Sequence, residues 1–283
     1  MRYVALSLGL VACARGQMEQ PDGQGPGSSH VDAAGTSQDA PSQVWLDAPG
    51  QAAAPGALLI SEVTIAQAGH EFIEIVNPST QAVDLSSYYL SDNGNYFKLP
   101  AGVPTVAAAD FIVKFPAGAQ IPGHGVVTVA TDTAASFTTS YGVAPTYSIA
   151  DATVDVIVKS GVPTLTDAGE LVVLFQWNGT DMLVKDVDMV LVGVPTAANG
   201  LVSKSGYVQG GSTYATDADT LAPQAAAPWN GKSTKRLMLD SSYEVAGGNG
   251  LMGQDETSEL TSTTWDSTYG APTPGQVPTA LLQ

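Results

Sequence analysis

Two aspartates that lie two positions apart, Asp186 and Asp188, have a spacing that suggests chemistry. Side chains at positions i and i+2 of a β-strand project from one face roughly 7 Å apart, a separation that suits glycosidase or calcium-binding carboxylates. Val187 and Met189 would then occupy the opposite face, which is also the ordinary pattern of a solvated face over a core. The spacing favours a solvated carboxylate face. Calcium binding is the weaker alternative, because no D-x-[DN]-x-[DN]-G loop is present.

Glu62 and Glu74 pose a different problem, because each lies inside a strongly apolar run that reads as a strand. A buried ionised carboxylate is costly unless it is paired. Cationic residues are scarce in this chain, and the planar guanidinium of Arg236 can take a carboxylate with two parallel hydrogen bonds. We therefore expect Arg236 to form a structural ion pair with Glu62 or Glu74. A catalytic pair of acids is the alternative.

The remaining reactive residues match no catalytic motif. Two histidines, His70 and His124, lie outside the N-terminal region that holds His30, so a multi-histidine metal site is excluded. The hydrolase motif Gly-x-Ser-x-Gly, the zinc motif H-E-x-x-H and the nucleotide-binding P-loop are all absent. We therefore expect a protein that is not an enzyme and has no cofactor. A Ser/His/Asp triad assembled across the fold is a third alternative.

The charge balance excludes further classes of protein. The 283 residues hold 10 Lys+Arg and 27 Asp+Glu, a net charge of −17, and no Lys or Arg occurs between Gly16 and Phe97. Nucleic-acid binding by phosphate neutralisation requires a basic face, so nucleic acid is not an expected partner. A nucleotide is not expected either, because the P-loop motif is absent. A single cysteine, Cys13, rules out an intrachain disulfide and cysteine-cluster metal chemistry.

Cys13 follows an apolar run of about ten residues, which is too short to span a bilayer that needs about 20 helical residues. Such a run is typical of a targeting segment. Its end, Leu10-Val11-Ala12-Cys13, resembles the lipobox of bacterial lipoproteins, in which the cysteine is diacylated and becomes the mature N-terminus. The resemblance implies a membrane-anchored protein of the cell envelope, and the absence of aspartate at position 14 favours the outer membrane. Two acyl chains would give stable anchoring.

The mature chain divides at about residue 56. Residues 14–56 are rich in Gly, Pro, Ala, Ser and Gln and cannot bury enough apolar surface to form a core. We therefore predict a signal peptide over 1–12, a lipid anchor and disordered linker over 13–56, and one folded domain over 57–283.

Short runs of alternating apolar and polar residues, separated by turn residues, fill the folded domain. This pattern predicts an all-β sandwich. Asn178-Gly179 predicts a tight hairpin between the two longest strands. One helix is predicted, over Thr133–Tyr141, with Asp132 as its cap and Gly142 as its end.

Several stretches, in their order along the chain, resemble the lamin tail domain, an immunoglobulin-like β-sandwich also found in secreted bacterial proteins. The stretches are Ile60–Val63, Glu71–Ser79, Val83–Asp92, Ile121–Ala130, Ser233–Arg236 and Thr273–Gly275. The resemblance implies this fold from about Ala57 to Pro278. The chain departs from the compact family pattern by long loops and by an insertion near 194–231. Binding residues specific to this protein are expected in those loops.

We therefore expect a lipid-anchored binding or scaffold protein that contacts the membrane through its lipid and an envelope protein or polysaccharide through its domain. The alternative is a carbohydrate-binding or calcium-assisted adhesion module that uses an aromatic platform of Trp177, Trp229 and Trp265 or loop carboxylates. An unrecognised hydrolase is the third class.

Overall fold

The computed structural model describes residues 58–65, 70–166, 169–193, 202–217, 231–239, 244–268 and 270–283. The predicted signal peptide, Cys13 and the predicted linker lie outside these ranges, as do residues 194–201 and 218–230 of the insertion. Within them, no helix has the length and apolar character needed to cross a membrane.

The regular secondary structure of the described residues consists mostly of β-strands, and many of these strands are only two residues long. In chain order the strands are β1 (Leu59–Thr64), β2 (Phe72–Val76), β3 (Val83–Asp84), β4 (Tyr88–Ser91), β5 (Phe111–Lys114), β6 (Gln120–Ile121), β7 (Val126–Ala130), β8 (Tyr147–Ser148), β9 (Asp155–Lys159), β10 (Gly169–Gln176), β11 (Lys185–Gly193), β12 (Val208–Gln209), β13 (Ser212–Thr213), β14 (Thr234–Lys235), β15 (Val245–Ala246) and β16 (Gln254–Asp255). The helices are α1 (Ala134–Tyr141) and the short α2 (Thr261–Thr264), with 3₁₀ turns at Tyr96–Ala101, Glu256–Ser258 and Thr279–Leu281.

Two five-stranded sheets make up the sandwich. The first sheet has the strand order β14-β1-β2-β7-β8, and the second has the order β11-β10-β4-β5-β9. Neighbouring strands pair antiparallel except β7 and β8, which are parallel. The predicted all-β, immunoglobulin-like class is therefore confirmed.

Alternation along each strand decides which side chains fill the space between the sheets. In β2, Ile73 and Ile75 point inward and are fully buried in the core between the sheets. Phe72 and Val76 belong to separate apolar clusters on the outer face. Burial of each inward side chain is worth about 1.5–3 kcal/mol. The same alternation places Glu74 on the outer face of the first sheet.

The outer face of the second sheet is also buried. Val172 and Leu174 of β10 face the core between the sheets, whereas Leu171, Val173 and Phe175 belong to a second apolar cluster. That cluster is completed by side chains of the 3₁₀ turn at Tyr96–Ala101 and of residues 202–214. Burial of both faces accounts for the unbroken apolar run of β10.

Two elements cover the outer face of the first sheet. At one end, Phe137 of α1 packs edge-on against Phe72, with the ring centroids 5.6 Å apart. At the other end, Leu281 packs in one buried cluster with Leu59 and Val76. We call residues 270–283 the C-terminal segment. It lies over the part of the sheet that carries the two glutamates.

The observed helices differ slightly from the predicted one. α1 begins at Ala134 with Thr133 as its cap, because the Thr133 hydroxyl accepts a hydrogen bond from the Ser136 backbone N–H at 3.2 Å. Gly142, at φ 72°, ends the helix as predicted. The four-residue helix α2 was not predicted, since one turn leaves no periodicity to detect.

β10 and β11 pair antiparallel as the predicted hairpin, but the predicted tight turn at Asn178-Gly179 is wrong. β10 ends at Gln176 and β11 begins at Lys185, so an eight-residue loop over 177–184 joins them. The Asn178 side-chain oxygen accepts hydrogen bonds from the backbone N–H groups of Thr180 and Asp181, each at 2.9 Å. This local turn chemistry satisfies the backbone without strand pairing.

Candidate functional site

Asp186 and Asp188 do not form an exposed carboxylate face. Both are buried, with 1% and 0% of their surface exposed. Asp188 lies opposite Leu174 and Asp186 lies opposite Phe175, so Val187 is an extra residue that forms a β-bulge. The bulge turns the two carboxylates to opposite faces of the second sheet. The prediction of a shared, solvated face is therefore wrong.

Asp188 points into the core between the sheets, where it meets Arg236. One guanidinium nitrogen of Arg236 lies 2.6 Å from the Asp188 carboxylate. Another lies 2.7 Å from the carboxylate of Glu259, and the guanidinium stacks 5.0 Å from the ring centroid of Trp265. The Asp188 carboxylate also accepts a hydrogen bond from the backbone N–H of Ile60. Arg236 is thus the buried cation shared by two acids from distant parts of the chain.

The predicted pairing of Arg236 with Glu62 or Glu74 is corrected by these contacts. In the register of β14 with β1, it is Lys235 that faces Glu62, and its ammonium lies 3.7 Å from that carboxylate. Because side chains alternate along a strand, the next residue, Arg236, points to the opposite side, into the sandwich. The ion pair of Glu62 is therefore with the neighbouring lysine.

Glu74 lies opposite Glu62 on β2 and has a different environment. Its carboxylate accepts hydrogen bonds from the Ser61 hydroxyl at 3.1 Å and from the Gly275 backbone N–H at 2.6 Å. Burial, opposed by the Gly275 hydrogen bond and assisted by the charge of Glu62, raises the pKa of Glu74 to about 7. Glu74 therefore titrates near neutral pH.

Asp186 faces the second apolar cluster, where it meets a buried lysine from the insertion. The ammonium of Lys204 lies 2.6 Å from Asp186 and 2.8 Å from Asp217. The Tyr96 hydroxyl donates to the other Asp186 oxygen at 2.6 Å, and the Asn249 amide donates to Asp217 at 3.2 Å. We call these five residues the Lys204 cluster. Burial raises the pKa of Asp186, although Lys204 opposes that shift.

The two aspartates of β11 and Arg236 were candidates from the sequence, but the pairing of Asp188 with Arg236 and that of Asp186 with Lys204 were not predicted. Lys204 is the one cation between Lys185 and Lys232, in an insertion otherwise rich in Ala, Gly and Thr. That isolation was the available signal, because a lone charge in an uncharged segment suggests a buried partner. Glu259 offered no comparable signal.

Asp186 and Asp188, the candidate calcium ligands, each contact a positively charged side chain of the protein. Lys204 neutralises one carboxylate and Arg236 the other. In the ranges that the structure describes, no three His, Cys, Asp or Glu side chains are grouped so that they could hold a metal ion. These two aspartates therefore bind side chains.

A cleft of about 700 Å³ opens beside the Lys204 cluster. It is lined by residues 180–185 of the loop between β10 and β11, by residues 212–215 around β13, and by Gly248, Asn249 and Gly250. Asn249 connects the two sites, since its side chain contacts both Asp217 and the backbone of Ala215. The lining of the cleft is therefore linked to the Lys204 cluster through the Asn249 side chain.

Glycine at position 248 is required by close packing of this cleft wall. A Cβ atom there would lie 2.3 Å from the Cα of Asp255, a distance that real Cβ atoms do not reach. The loop 248–250 thus lies directly against β16, and Asp186 adds a backbone hydrogen bond to the carbonyl of Asn249 at 3.0 Å. This wall of the cleft is therefore held by close packing and by a backbone hydrogen bond.

A serine–histidine contact at one end of α1 bears on the hydrolase alternative, because a catalytic triad needs such a contact. The Ser140 hydroxyl, on the exposed end of α1, contacts His70 Nδ1 and also lies 3.1 Å from the Ser136 carbonyl. Among the described residues no carboxylate hydrogen-bonds to His70, so the third member of a triad is not found there. The contact is consistent with a helix surface interaction.

The proposed aromatic platform does not assemble from the described tryptophans. Trp265 is buried beneath Arg236, with 1% of its surface exposed, and Trp177 donates its indole N–H to the Asp181 carbonyl at 2.9 Å. Trp229 lies outside the described residues. The cleft is lined by polar groups and aliphatic side chains, with Tyr214 as its one aromatic residue among those described.

Residues 51–190 match the family model of the Lamin Tail Domain. The match ends inside β11, short of the later stretches near 233–236 and 273–275. No curated protein matches the chain. The fold is also similar to the crystal structure of a DUF4876 family protein from Bacteroides thetaiotaomicron, with 12% sequence identity and a TM-score of 0.36. That similarity covers 79% of this chain and 72% of the other.

Proposed function

The chain carries a lamin tail domain over residues 51–190, and from this premise we propose that it is a binding or scaffold protein of the cell envelope without catalytic activity. In this proposal Cys13 is diacylated and holds the protein on the membrane, with the outer membrane as its location. Residues 14–56 space the sandwich from the lipid surface. The sandwich presents the cleft to a partner.

The cleft is the observation that supports this proposal. It lies where loops converge beyond the paired strands, which is where binding residues concentrate on a rigid scaffold. Its lining offers charges of both signs, Asp181 and Lys185, together with the exposed Met182 and the backbone of residues 212–215. Such a mixed lining suits an extended peptide segment of another envelope protein, with backbone groups and side chains of either charge.

A polysaccharide fits this lining less well. Sugar sites commonly present an aromatic face to the apolar side of a sugar ring. Tyr214, the aromatic residue in the cleft, is 4% exposed, and its hydroxyl already bonds the Val184 backbone N–H and the Phe97 carbonyl. The peptide is therefore the proposed ligand.

Site-specific photocross-linking in living cells tests the proposal. A photoreactive amino acid replaces Met182 in the cleft, and in a matched control it replaces Val103, which is also exposed, at 61%, but outside the cleft. We expect a discrete protein adduct from position 182 and none from position 103. Equal adducts from both positions, or none from position 182, would contradict the proposal.

A further inference from the structure

Lys204 is a buried primary amine held against two carboxylic acids. Its side chain has 0% of its surface exposed. The nitrogen lies 2.6 Å from an oxygen of Asp186, 2.8 Å from an oxygen of Asp217 and 3.0 Å from the Tyr96 hydroxyl. All three groups sit within hydrogen-bond distance of the amine, so the nitrogen is positioned against a carboxyl group without any movement of the chain.

A contribution to folding stability does not by itself explain why a lysine is buried between two aspartates. The cluster adjoins an apolar layer, and a buried ion pair can often be replaced by packed apolar side chains at no loss of stability. Tyr96 packs against Phe175, with the ring centroids 5.1 Å apart, so aromatic side chains border the amine. Burial lowers the pKa of Lys204, but the Asp186 and Asp217 carboxylates outweigh that effect and raise it. The nitrogen therefore becomes a nucleophile only when its proton passes to a neighbouring carboxylate, which the geometry allows directly.

Asp186 and Asp217 have different hydrogen-bond partners, and these partners suit them to different roles in a reaction with the amine. Asp186 accepts a hydrogen bond from Tyr96 on the oxygen that does not face Lys204. A donor in that position polarises the carboxyl carbon and stabilises negative charge on that oxygen during attack. Asp217 accepts hydrogen bonds from the Lys204 backbone N–H and from Asn249, so it is held as a proton acceptor beside the amine.

We propose that Lys204 and Asp186 condense to form an intramolecular amide, a covalent cross-link between the insertion and β11. The ammonium first gives a proton to the Asp186 carboxylate, which leaves an amine and a carboxylic acid. The amine nitrogen attacks the Asp186 Cγ, and negative charge develops on the oxygen that Tyr96 contacts. Asp217 takes one proton from the nitrogen and passes it to the departing hydroxyl.

The products are one amide bond and one water molecule, so no oxidant or co-reactant is needed. Proximity drives the step, since groups held in reactive geometry reach effective concentrations of about 10⁵–10⁸ M. The bond would close a ring across 18 positions of the chain and fix residues 202–217 onto the sandwich. It would therefore make the cleft wall resistant to unfolding and to proteolysis.

Mass spectrometry of the full mature chain after denaturation tests the cross-link. We expect an intact mass lower by one water than the summed masses of residues 13–283 and the attached lipid. Trypsin cuts after lysine and would normally release residues 186–204, but it cannot cut after a lysine whose side chain is an amide. The expected product is therefore the fragment 186–232, lighter by one water.

Two results would overturn the proposal. One is the release of fragment 186–204 at its unmodified mass. The other is loss of water with normal cleavage after Lys204, which would indicate a cyclic imide at an aspartate.

Three variants separate the roles of the two acids. Asp217→Asn should abolish the loss of water and restore cleavage after Lys204. Asp155→Asn, at an exposed position of β9 outside the cleft, should leave the cross-link intact. Asp186→Asn should lose ammonia in place of water and give the same cross-linked fragment as the wild type. An Asp217→Asn protein that still forms the bond would exclude the proposed proton transfer, and a cross-link lost in Asp155→Asn would contradict the proposal.

Discussion

Glu62 and Glu74 lie opposite each other on β1 and β2, and the C-terminal segment closes over both carboxylates. The Thr273 backbone N–H donates to Glu62 at 2.9 Å, and the Gly275 backbone N–H donates to Glu74 at 2.6 Å. Lys235 bonds both Thr273 and the Ala271 carbonyl, each at 2.8 Å. The two acids therefore attach the C-terminal segment to the first sheet and do not form an open catalytic pair.

Stability should fall as the pH rises toward neutrality. The pKa of Glu74 is raised from 4.5 to about 7 in the folded protein, chiefly by burial. Between these values the unfolded chain releases the proton and the folded chain keeps it, so the free energy of unfolding decreases as pH increases. The decrease from this residue is at most about 3 kcal/mol, at about 1.4 kcal/mol for each pKa unit.

Urea unfolding at a series of pH values measures this effect. Glu74→Gln should reduce the decrease between pH 4.5 and 7. Glu170→Gln should reduce it separately, because burial also raises the pKa of Glu170 to about 7. If the profile of each variant has the slope of the wild type, the assignment of the titrating groups is wrong.

Removal of the Arg236 guanidinium should be strongly destabilising. Arg236→Ala leaves Asp188 and Glu259 buried without their cation, at a cost of about 3–5 kcal/mol. Lys235 is the matched control, since its side chain is 30% exposed and Lys235→Ala should cost under about 1 kcal/mol. Chemical denaturation compares the two variants, and similar losses would contradict the structural role of Arg236.

Cys13 should carry the lipid. Metabolic labelling with a palmitate analogue is expected to mark the wild type and not Cys13→Ala, because the chain contains no other cysteine. The wild type should also sediment with membranes, whereas an exported Cys13→Ala chain should not. Equal labelling of the two proteins would exclude attachment at this residue.

The fold class could be read from the sequence because its signals are local. Alternation over five to nine residues predicted strands such as β2 and β11, and the order of short stretches identified the lamin tail domain. Gly142 marked the end of α1 through its left-handed conformation. Each of these features depends on residues that are close to one another in the sequence.

The ion pairs could not be read in the same way, because they depend on register. One extra residue, Val187, turns Asp186 away from Asp188, and apolar alternation does not reveal a bulge. The choice between Lys235 and Arg236 for Glu62 depends on how β14 pairs with β1, which is set by contacts 170 or more positions apart. The insertion that supplies Lys204 lies beyond the matched family range.

Binding of a peptide segment of an envelope partner at the cleft is tested most directly by the yield of the adduct from position 182 in cells that express Lys185→Glu. This substitution reverses one charge of the cleft lining. Lys159→Glu is the matched control, because it reverses an exposed charge at the end of β9, outside the cleft. We predict that the adduct is lost in Lys185→Glu and kept in Lys159→Glu. An adduct that persists in Lys185→Glu, or that is lost equally in both variants, would contradict binding at this cleft.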